Sequence, residues 1–217
     1  MDAPETSHPT GRARTRGPEI SDIGAVGEVG WNAGPAVSGN AGADVIDQGS
    51  WLVARLWSTP ATLTSTPLVP GRYRFVLTFD GEATIERRGG TCRVAPRQLV
   101  LLDGQDRTVT RNPVLWARME WHLPLPLLDP SLVAAVGRVA DVPEHYAQLV
   151  AAVTNTVSTD PGFADGPGGL HLLPALQALV AGGLADAYGA PPRLTPTQHA
   201  VLVAARRHID EIGRAHV

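Results

Sequence analysis

The chain has 217 residues, 43% of them hydrophobic and 18% charged, with a formal net charge of −3; this is enough for one or two packed domains and excludes both a disordered chain and a strongly basic nucleic-acid binder. All 18 basic residues are Arg, which implies a high-GC bacterial genome, because Arg codons are GC-rich and Lys codons AT-rich. The single Cys92 excludes an intrachain disulfide framework and a multi-cysteine zinc site, no apolar run approaches the ~20 residues that span a bilayer, and residues 1–18 carry charge with no apolar stretch behind them, so no signal peptide is expected and the cytoplasm is the expected compartment.

Residues 1–48 are rich in Gly, Ala, Pro and Ser, and Trp31 is their only aromatic residue. Such a segment cannot bury enough surface to offset chain entropy, so a disordered tail is expected. Its TGRARTRG stretch (10–17) carries too few arginines for a polyanion site and reads as solvated.

A β-domain is expected over 49–128. WLVARLWS (51–58) is rich in aromatic and branched residues, and RYRFVLTF (72–79) alternates, with Tyr73, Phe75, Leu77 and Phe79 on one face and Arg72, Arg74, Val76 and Thr78 on the other. Asp80-Gly81 between this run and EATIERR (82–88) predicts a tight hairpin. Gly89-Gly90 predicts a second turn, into TCRV (91–94); Ala95-Pro96 breaks that run, and QLVLLD (98–103) resumes as a buried strand. VLWARMEWHL (114–123) alternates again, Leu115, Ala117, Met119 and Trp121 against Trp116, Arg118, Glu120 and His122. Short strands at this spacing, joined by Gly and Pro turns, predict a small antiparallel barrel or jelly roll.

Helical periods follow over 129–190. Asp129-Pro130 supplies an N-cap and an N1 proline for SLVAAVGRV (131–139), and Asp141-Val-Pro-Glu144 has the capping-box pattern ahead of Tyr146, Leu149, Val150, Val153 and Val157. After the loop 159–169, Leu170, Leu173, Leu176, Leu179, Val180 and Leu184 form another stripe, with Pro174 near its first turn. Past Pro191-Pro192, Thr195-Pro196-Thr197-Gln198 opens a last helix carrying Val201, Leu202, Ala205, Ile209 and Ile212.

Catalytic chemistry has little footing in these residues. A metal-binding barrel needs several histidines and a carboxylate converging inside it, and the barrel region offers only His122, which reads as a strand-end residue. Cys92 lies mid-strand with no histidine near in sequence, Glu82 and Glu86 sit beside Arg87 and Arg88 as a salt-laced face, and the chain has no G-x-S-x-G elbow, P-loop or G-x-G-x-x-G. A binding domain is expected, not an enzyme, and no metal or cofactor. The candidate ligand wall is the apolar strand face expected to point inward, Tyr73, Phe75, Leu77, Met119 and Trp121, which the residues fit equally as core filler.

The stretch FVLTFDGEATIERRGGTCRVAPRQLVLLDG (75–104), with LWARMEWHLP (115–124), resembles the N-terminal effector-binding and oligomerisation domain of AraC/XylS-type transcriptional regulators. The family commonly has Pro-Gly where this chain has Pro96-Arg97, which removes easy access to positive φ at that turn. LTPTQHAVLVAARRHIDE (194–211) is similar to the first helix of the family's helix-turn-helix DNA-binding domain, where Arg206 and Arg207 could touch phosphates but read more simply as a solvated face. The resemblance implies an α+β chain: a disordered tail (1–48), a cupin-like effector barrel (49–128), a helical dimerisation region (129–190) and the first helix of a truncated DNA-binding domain (191–217). It implies a homodimer responding to an unidentified small molecule, with DNA bound only by the full-length protein and no membrane partner. A stand-alone cupin-like binding protein or enzyme, and a dimerising module without DNA contact, are the alternatives. The ending Ile212-Gly-Arg-Ala-His-Val217 is what ATC GGA AGA GCA CAC GTC encodes; that string matches a common sequencing adapter, so the reading frame is expected to run past the true gene.

Overall fold

The computed structural model of the chain describes residues 30–33, 40–124, 135–160, 162–163, 166 and 169–188. The strands nest. β3 (Leu52–Ser58) pairs with β10 (Trp116–Pro124), β4 (Ala61–Ser65) with β9 (Val109–Asn112), β5 (Arg72–Asp80) with β8 (Gln98–Asp103), and β6 (Ala83–Arg87) with β7 (Gly90–Val94), all antiparallel. This is one long hairpin, turning at Arg88-Gly89 and folded over so that successive pairs fall in opposite sheets, the jelly-roll solution to closing a β-layer. β1 (Trp31–Ala33) extends the five-stranded sheet through β4. β2 (Ala41–Asp47) and β11 (Val139–Asp141) form the two edges of the six-stranded sheet, whose order is β11-β8-β5-β10-β3-β2. The chain is thus α+β with a small antiparallel cupin-like barrel followed by helices, as its sequence implies.

Two helices cover the outer face of the six-stranded sheet. α1 (Glu144–Thr159) and α2 (Gly169–Tyr188) bury Ala147, Val150, Val157, Leu176, Val180 and Leu184 against Phe75, Leu77, Leu99, Leu101, Met119 and Trp121. They also lock to each other: the Tyr146 hydroxyl donates to the Leu179 carbonyl at 2.8 Å, and its ring fills the space a side chain at Gly183 would need. The hydrogen bond from Trp121 Nε1 to Thr154 Oγ1, 2.9 Å, ties β10 to α1. Among the described residues no helix is long and apolar enough to cross a membrane.

Four expectations are corrected. Asp80-Gly81 is not a hairpin: β5 and β6 lie in different sheets, and the turn carries the chain from one layer to the other. Its glycine is still required, since φ is +71° and a Cβ would sit 1.7 Å from the Leu115 carbonyl oxygen. Residues 31–33 and 41–47 are strands, not disordered tail; the small residues of β2 fit beneath a neighbour, the Trp57 ring lying where a Cβ on Gly42 would stand. The helix expected over 131–139 does not reach Val139, which begins β11 and pairs with Val100 after a turn at 135–137; residues 131–134 lie outside the described ones. The capping box at 141–144 is not made, because Asp141 is held in β11, where its Oδ1 accepts from Gln98 Nε2 at 2.9 Å, and Pro143 starts α1 without a side-chain cap. The expected helix at 194–211, with Arg206 and Arg207, also lies outside the described residues.

Arg97 occupies the left-handed region at φ 63°, where the related pattern has glycine. The site is over-determined by its backbone bonds: Arg97 N donates to Thr78 O and Val142 N to Arg97 O, both at 2.9 Å. Replacing Arg97 by Gly is therefore expected to raise stability by about 1 kcal/mol; a denaturant midpoint no higher than that of the parent chain would contradict the strain.

Candidate functional site: a buried charged cluster in the barrel

Both faces of the central strands β5 and β10 are buried, one by the helices and one by the opposing sheet, so alternation divides two interiors instead of core from solvent. On the barrel side stand Arg74, Val76 and Thr78 from β5, with Trp116, Arg118, Glu120 and His122 from β10. Four of these are ionisable, and their exposures are Arg74 0%, Arg118 2%, Glu120 0% and His122 2%. Charged side chains at this depth are rare unless paired.

Register builds the cluster. Glu120 faces Val76 on β5 and Ala54 on β3, neither of which can reach its carboxylate. Its partners come from two residues along its own strand, Arg118 and His122, and from the diagonal neighbour Arg74, which pairs with His122. Oε1 lies 2.9 Å from Arg74 Nε and 2.7 Å from His122 Nε2, Arg74 Nε donates to His122 Nε2 at 3.3 Å, and Oε2 lies 3.4 Å from Arg118 Nε. Trp31, at the start of β1, lays its indole Nε1 2.9 Å from both carboxylate oxygens. His122 Nε2 therefore stands between two partners, Glu120 Oε1 and Arg74 Nε, and its tautomer decides which of them it bonds. The guanidinium of Arg74 sits 4.7 Å over the Trp31 ring, and that of Arg118 lies between Trp116 at 3.9 Å and Trp31 at 5.4 Å.

Burial and pairing compete at each group. Burial pushes the Glu120 carboxyl up, but the His122 hydrogen bond and the charges of Arg74 and Arg118 outweigh it and bring its pKa down to about 2. Burial lowers Arg118 to about 10 and also lowers Arg74, in each case against the opposing pull of Glu120. Burial likewise holds His122 below its ordinary value, with Glu120 opposing. At neutral pH the cluster therefore holds two guanidinium cations, one carboxylate and a neutral imidazole. Apolar residues flank it in two separate groups, Leu52, Ala54, Leu56 and Leu63 toward β3 and β4, and Val76, Ile85, Val100 and Leu102 toward β5, β6 and β8.

The residues predicted as a ligand wall are elsewhere. Tyr73, Phe75, Leu77, Met119 and Trp121 do come together, with Phe75 and Trp121 stacked at 5.1 Å, but on the outer face of the sheet beneath α1 and α2. The expectation that they point into the barrel is corrected: the helix layer takes the more apolar face, and the barrel receives the face carrying arginines. His122 is not a surface strand-end residue but a member of the cluster. Sequence reading missed Arg74 and Trp31; the even-numbered face of the 72–79 run was the available signal for Arg74, and Trp31 had none beyond being an isolated Trp in a small-residue segment. Among the described residues no group of three or more His, Cys, Asp or Glu is placed to hold a metal ion.

Comparison with known proteins places the fold. No protein-family model matches the chain, and no curated protein matches it in sequence. Among solved structures it is similar to the AraC-like transcriptional activator CuxR, at a TM-score of 0.55 and 13% identity over 71% of this chain; the match spans 60% of that activator's length. Weaker similarities include the cupin domain of an XRE-family transcriptional regulator from Enterobacter cloacae (TM-score 0.36, 18% identity, 38% of this chain and 95% of that one). Ectoine synthase from P. lautus is another (TM-score 0.33, 18% identity, 42% of this chain and 68% of that one).

Removing the carboxylate charge should be severe, because Arg74 and Arg118 would face each other without it. Glu120→Gln is expected to cost about 3–5 kcal/mol in a denaturant titration; a loss below about 1 kcal/mol would contradict the pairing. Two folded-state values lie below their unfolded ones, His122 below its ordinary 6.5 and Glu120 below 4.5. Unfolding therefore takes up protons as pH falls. Stability should be full above the ordinary His value, decline as pH falls below it, and fall again between about 4.5 and about 2 as Glu120 protonates. A melting temperature flat from pH 7 to 3 would contradict this.

Proposed function

We propose that the chain is the sensor and oligomerisation part of an AraC-type transcriptional regulator, taking a small molecule into its barrel and pairing with a second copy through the helical region that follows. The observation that carries this reading is the fold shared with the AraC-like activator over 71% of the chain. The barrel interior supports it. A compartment filled only for packing would favour apolar side chains, whereas a binding cavity combines apolar walls with a few convergent polar groups. The pattern at 194–211 supports a DNA-binding partner domain. In a regulator of this kind, dimer geometry sets the spacing of the two DNA half-sites, and specific DNA contact belongs to the full-length protein in the cytoplasm.

A binding role fits the residues better than catalysis. Glu120 already accepts from Trp31 and Arg118 and is in contact with Arg74 and His122, and its depressed pKa makes it a weak base. The stand-alone cupin-like alternatives, a binding protein or an enzyme, share the barrel but need neither a second copy nor a promoter. Sedimentation equilibrium is expected to give twice the chain mass of 22.9 kDa, and deletion of the gene is expected to change transcript levels from promoters beside it. A monomer at all concentrations, with unchanged transcripts, would overturn the reading.

A further inference from the structure

We infer that the barrel interior takes a small organic carboxylate on the outer edge of the Arg118 guanidinium; this rests on reading the barrel as a binding compartment and names the chemistry it recognises. Both terminal nitrogens of Arg118, Nη1 of Arg74 and Oγ1 of Thr110 are buried with no hydrogen-bond partner among the described residues. Arg74 and Arg118 come from the six-stranded sheet; Thr110 comes from β9 of the five-stranded sheet, where its buried side chain alternates with exposed Arg111. Native interiors leave few such groups unsatisfied, and guanidinium nitrogens least of all.

The geometry of Arg118 narrows what can satisfy it. Its Nε faces Glu120, and its guanidinium carbon lies over the rings of Trp116 and Trp31. What remains is the in-plane edge carrying Nη1 and Nη2. Two parallel N–H donors in a plane match the two oxygens of a carboxylate. Arg74 is otherwise engaged, its Nε with His122 Nε2 and beside Glu120, and its Nη2 with the Thr66 carbonyl at 3.4 Å, leaving Nη1 as a further donor.

Charge narrows it further. Two guanidiniums and one carboxylate, with His122 neutral, leave one uncompensated positive charge in the interior. A carboxylate neutralises it; a phosphate dianion overshoots; a neutral molecule leaves it unpaired. Recognition by charge-assisted hydrogen bonds then supplies the discrimination, since an amide of the same shape presents an N–H where an acceptor is required.

The test uses the purified chain in calorimetric titrations and thermal melts at matched ionic strength, with acetate, hexanoate and benzoate against benzamide, inorganic phosphate and chloride. At least one carboxylate should bind saturably at one per chain and at least about tenfold more tightly than benzamide, phosphate or chloride. Arg118→Lys, which keeps the charge and loses the fork, should weaken it by about tenfold or more. Arg118→Met should abolish it; it also removes one of the donors that hold Glu120, so its unliganded melting temperature is expected to fall. Should the methionine variant not fold, the lysine variant decides. Equal binding of benzamide overturns the carboxylate assignment and leaves the sensor reading standing. Phosphate or chloride as effective as the carboxylates means an adventitious ion only and overturns it, as does unchanged affinity in both Arg118 variants. No saturable response to any carboxylate overturns it too, and the sensor reading then depends on the oligomeric and transcript measurements.

Discussion

The carboxylate of Glu120, held ionised between the two sheets, is the constraint on which the rest of the structure turns. An acid at zero exposure survives in its charged form only if donors surround it, and here they arrive from three strands: Arg118 and His122 along β10, Arg74 across on β5, and Trp31 from β1 of the opposing sheet. The cluster therefore pins the two sheets together by polar contacts where a simple sandwich would use apolar ones. It also makes the interior selective. Four side chains surround Glu120, and two arginines bring more hydrogen-bonding capacity than one carboxylate can absorb.

The fold supplies that cluster by dividing labour between the faces of one sheet. β5 and β10 run side by side at the centre of the six-stranded sheet and are buried on both sides. Their aromatic face, Phe75 with Trp121, is taken by α1 and α2, and the hydrogen bond from Trp121 to Thr154 fixes how the helix lies. Because the helices rest on the back of the strands that carry Arg74 and Glu120, a change inside the barrel has a short mechanical route to the helical region. The proposed sensor role calls for such a route.

Much of this was legible in the sequence, and the reasons for the rest are physical. The alternation in 72–79 and 114–123 and the buried run 98–103 are local patterns, and each became a strand; the turn expected at Gly89-Gly90 falls one residue earlier, at Arg88-Gly89, with Gly90 already in the next strand. The apolar stripes starting at Tyr146 and Leu170 likewise became α1 and α2. What alternation cannot show is which of two buried faces points into the barrel, since both satisfy the same rule. The more apolar face was assigned inward, and the helices claimed it instead. Asp80-Gly81 marks a turn correctly but not its destination, because the pairing of β5 with β8 and β10 is decided by contacts far away in sequence. Trp31 and β2 sit among small residues whose fit depends on a partner, Trp57 for Gly42 and Glu120 for Trp31, that no local window contains.

The central claim is that Glu120 is a buried anion held by cations and an indole, and the most direct test is a carbon-13 NMR titration of its side-chain carboxyl. The account predicts a resonance that keeps its ionised shift through the ordinary carboxylate range and moves only near pH 2, if the fold persists that far. A Glu120 resonance titrating at or above 4.5 in the folded protein would contradict it.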